Sequence, residues 1–253
     1  MRGPVSIRRD LPRFFGVRLD VRLLSVLLAP LALVTFAACS DGGDEPVSPD
    51  GNLFENAGFE DGDGAWFTLD EESGFRVTDD LSHDGGHSAL LRMDDPVSAV
   101  GARVYYLVQE LEPEEFPEVV NGFYRVENWE RGTERQYVQF VVIAMEPDNF
   151  PAEIASNFQL RYVLAGLDFD PFENADGEVN ARMVFVNRDE PVEGEWVEFS
   201  LNIREDFERL WDRVPEGFDK LRLLFEVRWD AKPGGDGAPR ADVYYDDLYI
   251  GDG

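Results

Sequence analysis

Apolar and polar residues alternate in short bursts along most of this chain, and turn residues separate the bursts. A period of two with β-branched and aromatic side chains predicts half-buried strands. On that basis strands are expected at residues 75–78, 88–93, 102–109, 123–127, 137–144, 158–164, 179–186, 196–201 and 221–229. Two further stretches read as short strands that open and close the domain, Asn52 to Gly62 and Val243 to Ile250. One segment breaks the period: Phe207, Leu210 and Trp211 fall at i, i+3 and i+4, which predicts a short helix over 205–212, closed by Pro215 and Gly217. Many strands, one short helix and no βαβ alternation predict an all-β, antiparallel β-sandwich.

The N-terminal pattern differs. Arg2, Arg8, Arg9, Arg13, Arg18 and Arg22 precede an apolar run from Leu23 to Ala38, which is shorter than the ~20 residues a membrane-spanning helix needs. Residues 1–38 are therefore expected to be an export signal. The run ends in Phe36-Ala37-Ala38-Cys39-Ser40, which resembles a bacterial lipoprotein lipobox, with Phe36 where leucine is usual. Cys39 is the single cysteine of the 253 residues and stands where that motif takes its lipid. The resemblance implies lipidation at Cys39 and an address at the bacterial cell envelope. Ser40 resembles the residue that permits transfer to the outer membrane. Membrane contact is expected through this lipid alone. Residues 39–51, rich in Gly, Pro and acid, read as a flexible acidic tether, and residues 52–253 as one sandwich domain.

Charge narrows the partners. The chain carries 23 basic and 52 acidic residues. Removing the six basic and two acidic residues of 1–38 leaves 17 against 50, a net charge of −33. Such a surface repels nucleic acid and anionic headgroups. Disorder is excluded by 19 Phe, 8 Tyr and 5 Trp, too much aromatic area for an unfolded chain. Without a second cysteine the domain is held by packing, or by packing and a metal.

The opening Asn56-Ala57-Gly58-Phe59-Glu60, an N-x-x-F-E motif, and the closing Asp246-Asp247-Leu248 resemble the terminal strands of carbohydrate-binding modules with the galactose-binding-domain-like, jelly-roll β-sandwich. The turn His83-Asp84-Gly85-Gly86-His87-Ser88 resembles their H-S-G-x-x-S loop, with Asp84 replacing serine. The resemblance implies a structural calcium ion shared by Glu60 and Asp246 or Asp247, with loop carbonyls completing the shell. Calcium takes six to eight such hard oxygens. A solvated acidic surface is the competing reading of these carboxylates. The resemblance also implies a polysaccharide or other glycan as partner.

Aromatic rings bind sugars by packing on the apolar faces of pyranoses. Trp66, Tyr124, Trp129 and Phe150 lie in polar or loop-like contexts, and Trp129 is flanked by Glu127, Asn128, Glu130 and Arg131. Trp129, Tyr124 and Trp66 are thus the candidate ligand-binding residues. Trp196, Phe225 and Tyr244 sit in strand patterns and are expected in the core. His83 and His87 lie four apart, but Gly85 and Gly86 between them predict a turn rather than a helical zinc site. Asn174 to Asn180 lacks the first and last acids of an EF-hand loop and reads as a polar loop. No G-x-S-x-G, H-E-x-x-H, P-loop or dinucleotide fingerprint is present, and no carboxylate pair stands out. The expected function is a non-catalytic, lipid-anchored glycan-binding protein. The alternative is a structural or protein-interaction lipoprotein of the envelope without a glycan ligand. Oligomeric state is not legible in the chain.

Overall fold

The structure, a computed structural model, describes residues 51–69, 74–148, 157–170, 181–234 and 237–253. The export signal, Cys39, most of the tether, Phe150 and the 174–180 loop lie outside these residues.

The described residues form two five-stranded sheets and one helix. The strands are β1 (Phe75–Thr78), β2 (Ser88–Asp94), β3 (Gly101–Leu111), β4 (Val119–Glu130), β5 (Gln136–Met145), β6 (Asn157–Ala165), β7 (Ala181–Phe185), β8 (Trp196–Asn202), β9 (Lys220–Lys232) and β10 (Arg240–Gly251). The first sheet runs β1-β2-β10-β4-β8, and the second β3-β9-β5-β6-β7. The sandwich is antiparallel as expected, and of the strand pairs among the described residues β6 with β7 is parallel. A parallel neighbour needs a long crossover, and residues 166–180 provide the length.

The period of two decides which side chains meet. In β9, Leu221, Leu223, Phe225, Val227 and Trp229 join the main core, while Lys220, Arg222, Glu226 and Arg228 alternate with them on the outer face. In β10, Ala241, Val243 and Tyr245 turn inward. Phe225 sits at the centre. Its ring lies 4.6 Å from Phe140, 5.1 Å from Tyr245, 5.9 Å from Phe54 and 6.0 Å from Trp66, centroid to centroid.

The helix α1 (Ile203–Trp211) starts two residues earlier than the spacing predicts, because Asn202 caps it. The Asn202 side chain accepts from the Glu205 amide at 2.9 Å. Phe207 is fully buried, and Leu210 and Trp211 pack against the same core. Asp212, left-handed at φ 57°, ends the helix before Pro215 is reached.

The opening stretch 52–62 is not a strand. Asn56 and Phe59 have φ of 48° and 61°, outside the extended range, and tight turns join Asn56 to Phe59 and Phe59 to Gly62. The segment is instead tied onto β10 by Leu53 N to Ile250 O at 2.8 Å and by Asn52, which bonds Leu248 and Ile250. The two ends of the domain meet, as expected, but through turns.

Candidate functional site

Three neighbourhoods gather the chemistry-bearing residues. The first is the clasp where the termini meet. Asp246 is fully buried and accepts the amides of His83 at 2.7 Å and Asp247 at 2.8 Å. Burial pushes its carboxyl up to about 7, against the pull of those amides. Asp247 meets His83 Nδ1 at 2.5 Å, and the His83 ring stacks on Phe123 with centroids 3.6 Å apart. Glu60 sits at the other end of the 83–87 turn. It accepts from the Gly86 and His87 amides at 2.7 and 3.0 Å and pairs with His87 Nδ1 at 3.0 Å. Burial raises the Glu60 carboxyl, but the bonds from His87 and Gly86 outweigh it and leave it below the usual range.

These carboxylates are the hard oxygens that calcium selects. The Oδ1 atoms of Asp246 and Asp247 converge on Gly58, each within 4 Å of where a Cβ there would stand. Glu60 is held elsewhere: its Oε1 accepts the amides at the far end of the turn and its Oε2 meets His87 Nδ1. Among the described residues no group of three or more His, Cys, Asp or Glu is arranged to hold a metal ion. Asp246 and Asp247 bring carboxylate oxygens near Gly58, and Glu60 lies at the other end of the turn.

The second neighbourhood is built around Trp129. Opposite Arg240–Asp242, β4 carries one extra residue, so the register slips between Glu127 and Glu130. Asn128, at φ 55°, takes up the bulge, a conformation asparagine tolerates. A bulge bends the strand and re-aims its side chains. The Trp129 ring is half-buried and packs against the core. Its indole Nε1 donates to Glu190 at 2.6 Å, and its backbone amide donates to Glu193 at 3.0 Å. The Arg131 guanidinium lies 5.9 Å from the ring centroid.

Beside this ring lies a cleft of about 600 Å³. Its polar wall is fixed by ion pairs: Arg92 grips Asp242 through two bonds of 2.7 and 3.0 Å, and Asn128 donates to the same carboxylate at 2.9 Å. Arg240 bonds Asp94 at 2.9 Å and Glu130 at 3.4 Å. Exposed pairs of this kind contribute little to stability. Here they hold donors and acceptors in place beside the Trp129 ring.

Trp66 and Tyr124, both expected at a ligand surface, are core residues. Trp66 packs between Phe54, Phe59 and Phe225 and donates to the Asn56 carbonyl at 3.0 Å. Tyr124 turns inward with Val120 and Val126, and its hydroxyl donates to the Leu164 carbonyl. Phe225 is core as expected. Trp196 is half-buried beside His83 on the outer face of the first sheet, and Tyr244 is buried on that same face, outside the core.

The third neighbourhood did not stand out in the sequence. On the outer face of the second sheet, β5 and β9 pair Gln139 with Glu226 and Tyr137 with Arg228. Gln139 donates to Glu226, Arg228 lies 3.6 Å from Glu226, and Arg228 and Tyr137 both donate to Asp230, at 2.7 and 3.1 Å. Burial raises the Glu226 carboxyl, with Arg228 pulling the other way. The available signal was Gln139, a lone amide inside the apolar strand run 137–144.

No protein-family model matches the chain, and no curated protein matches it. Solved structures do. A module called TmCBM61, determined with β-1,4-galactotriose, is 13% identical over 79% of this chain and 97% of its own, with a TM-score of 0.43. A CBM28 module specific for non-crystalline cellulose is 14% identical over 82% and 99%, with a TM-score of 0.41. The CBM22-1 xylan-binding domain of Paenibacillus barcinonensis Xyn10C is 11% identical over 79% and 90%, with a TM-score of 0.36. Others include enzymes, among them a bacteriophage tailspike domain of which this chain spans 21%. The neighbours thus include carbohydrate-binding modules of the β-sandwich fold.

Proposed function

We infer that this is a lipid-anchored, non-catalytic protein of the bacterial envelope, displayed at the outer membrane, whose sandwich binds carbohydrate at the Trp129 cleft. The observation that carries the binding reading is the cleft itself. A half-buried indole stands beside carboxylates and guanidinium groups that ion pairs have already oriented. Sugar recognition needs that combination, an apolar ring face with fixed donors and acceptors around it. Orienting the groups before binding lowers the entropy cost of association.

The non-catalytic part rests on the sequence, which carries none of the catalytic motifs named above.

The anchor rests on the lipobox-like Phe36–Ser40. Cys39→Ala should abolish incorporation of labelled fatty acid; equal labelling of variant and wild type overturns the anchor.

Calcium belongs to the proposal as a structural ion at Asp246 and Asp247. Glu60 is held at the other end of the turn by two amides on Oε1 and the His87 ring on Oε2. Calcium at a hundredfold excess over its Kd should stabilise the fold by about 2.7 kcal/mol, beyond a sodium control of matched ionic strength. Changing both Asp246 and Asp247 to Asn should remove that increment, whereas Glu60→Gln should keep it. No increment in the wild type means the clasp closes by hydrogen bonds alone.

Binding itself is tested by screening the full-length protein against a panel that includes β-1,4-galactotriose, soluble xylan and non-crystalline cellulose. At least one glycan should be retained. Failure across the panel leaves envelope assembly without a glycan ligand as the function.

A further inference from the structure

The loop 186–195, which joins β7 to β8, grips Trp129 at two points. Glu190 Oε2 accepts the indole Nε1–H at 2.6 Å, and Glu193 Oε2 accepts the backbone amide at 3.0 Å. The loop is itself tied to the sandwich on both sides of Glu190. The Asp189 carbonyl accepts the Gly166 amide at 2.7 Å, and the Gly194 amide donates to the Val126 carbonyl at 3.0 Å. Pro191, which is buried, follows Glu190 and restricts its backbone to extended conformations.

Arg131 completes the arrangement. Its Nε donates to Glu190 Oε1, and its other nitrogens donate to the carbonyls of Gly166, Thr133 and Glu134. Glu190 therefore stands between ring and guanidinium with both oxygens engaged. Stability does not account for this. The side chains of Arg131 and Glu190 keep 31% and 54% of their surface exposed, and exposed pairs contribute little to the fold. Glu190 is also absent from the lining of the Trp129 cleft, so it faces the tryptophan and not the space beside it.

What the bond to Glu190 does fix is the orientation of the ring. Packing against the core holds the indole loosely about its own axis, because dispersion contacts are not directional. A bond from N–H to a charged acceptor is short, strong and directional. A flat ring packs on a sugar only when it is correctly turned, and a ring turned beforehand avoids the entropy cost of ordering it on binding. The same bond uses the only N–H of the indole. The ligand therefore meets ring carbons at Trp129, and its hydroxyls are left to the other groups of the cleft.

We propose that Glu190 is a positioning residue for glycan binding, which sets the orientation of Trp129 without contacting the sugar. This inference rests on the glycan reading of the cleft, and its test keeps the two apart. The full-length protein is titrated with β-1,4-galactotriose, soluble xylan and cello-oligosaccharides, and exchange of the Trp129 indole proton is followed by nuclear magnetic resonance. That proton, identified by its loss in Trp129→Phe, should exchange at least tenfold more slowly in wild type than in free tryptophan. Glu190→Ala should bring its exchange close to the free rate and weaken glycan binding fivefold or more. Glu190→Gln removes the same charge but keeps an oxygen for the indole, so it should recover most of both losses. If Glu190→Ala unfolds, exchange in wild type and the affinity of Glu190→Gln still decide. An indole proton as exposed in wild type as in free tryptophan overturns the proposal, and so do equal losses in the two variants. Wild-type affinity in Glu190→Ala alongside lost affinity in Trp129→Ala overturns the role of Glu190 and leaves the cleft standing. Absence of binding by every probe overturns both.

Discussion

Phe225→Ala should destabilise the domain by about 3–5 kcal/mol, the range for emptying a buried aromatic site. The ring is fully buried and touches Phe54, Trp66, Phe140, Phe199 and Tyr245, so it joins the opening segment to both sheets. Five large rings cannot all collapse into the space it leaves, and packing lost on one side is lost outright. For a domain of about 200 residues that corresponds to a fall of roughly 6–20 °C in melting temperature. Phe225→Leu, which keeps most of the volume, should cost much less. Thermal unfolding of both variants checks this, and equal losses would show that the centre of the core lies elsewhere.

A second large effect is expected from pH. Burial holds the Glu226 carboxyl above its ordinary value in the folded state, though Arg228 and Gln139 pull it down. Over the window between the unfolded and folded values the native state binds more protons. The contribution to stability is therefore complete in acid, below the ordinary carboxylate range, and is lost as pH rises through the folded value. Each unit by which the group is raised corresponds to about 1.4 kcal/mol. Glu226→Gln removes the titration while keeping an acceptor for Gln139. Its stability should fall less than the wild type's between acid and neutral pH. The whole acidic surface also gains from protonation, so the difference between the two proteins is the quantity to read. Parallel profiles would place Glu226 in contact with solvent.

Most of the sandwich is legible because alternation and burial are the same fact written twice. β5 is recognisable from Tyr137 to Ala144, and β9 from Leu221 to Trp229, since each inner residue is apolar. Strand ends are less legible: β4 runs from Val119 to Glu130, beyond the apolar stretch that signals it, because Leu248 and Phe199 pack against Gly122 in its first half. Tyr124 was within reach, since it shares its parity with Val120 and Val126. Trp66 was not. It sits in a run of Asp and Gly, and its burial depends on the 52–67 segment wrapping over the core, which no local period records. At the site, the identity of Trp129 could be read but its setting could not. The bulge at Asn128 and the bond to Glu190, 61 residues away in the chain, arise only in the folded molecule. The same is true of the clasp: the acids at both ends are visible, but not that Glu60 faces amides.

The central claim is that the Trp129 cleft binds glycan, and calorimetric titration tests it most directly. The best-retained glycan of the panel is titrated into wild type, Trp129→Ala and Arg240→Ala. Trp129→Ala should lose a few degrees of melting temperature, because the ring packs against the core. Arg240, half exposed, should cost almost none. Both variants should remain folded and bind at least tenfold more weakly than wild type. Unchanged affinity in both folded variants would contradict the account.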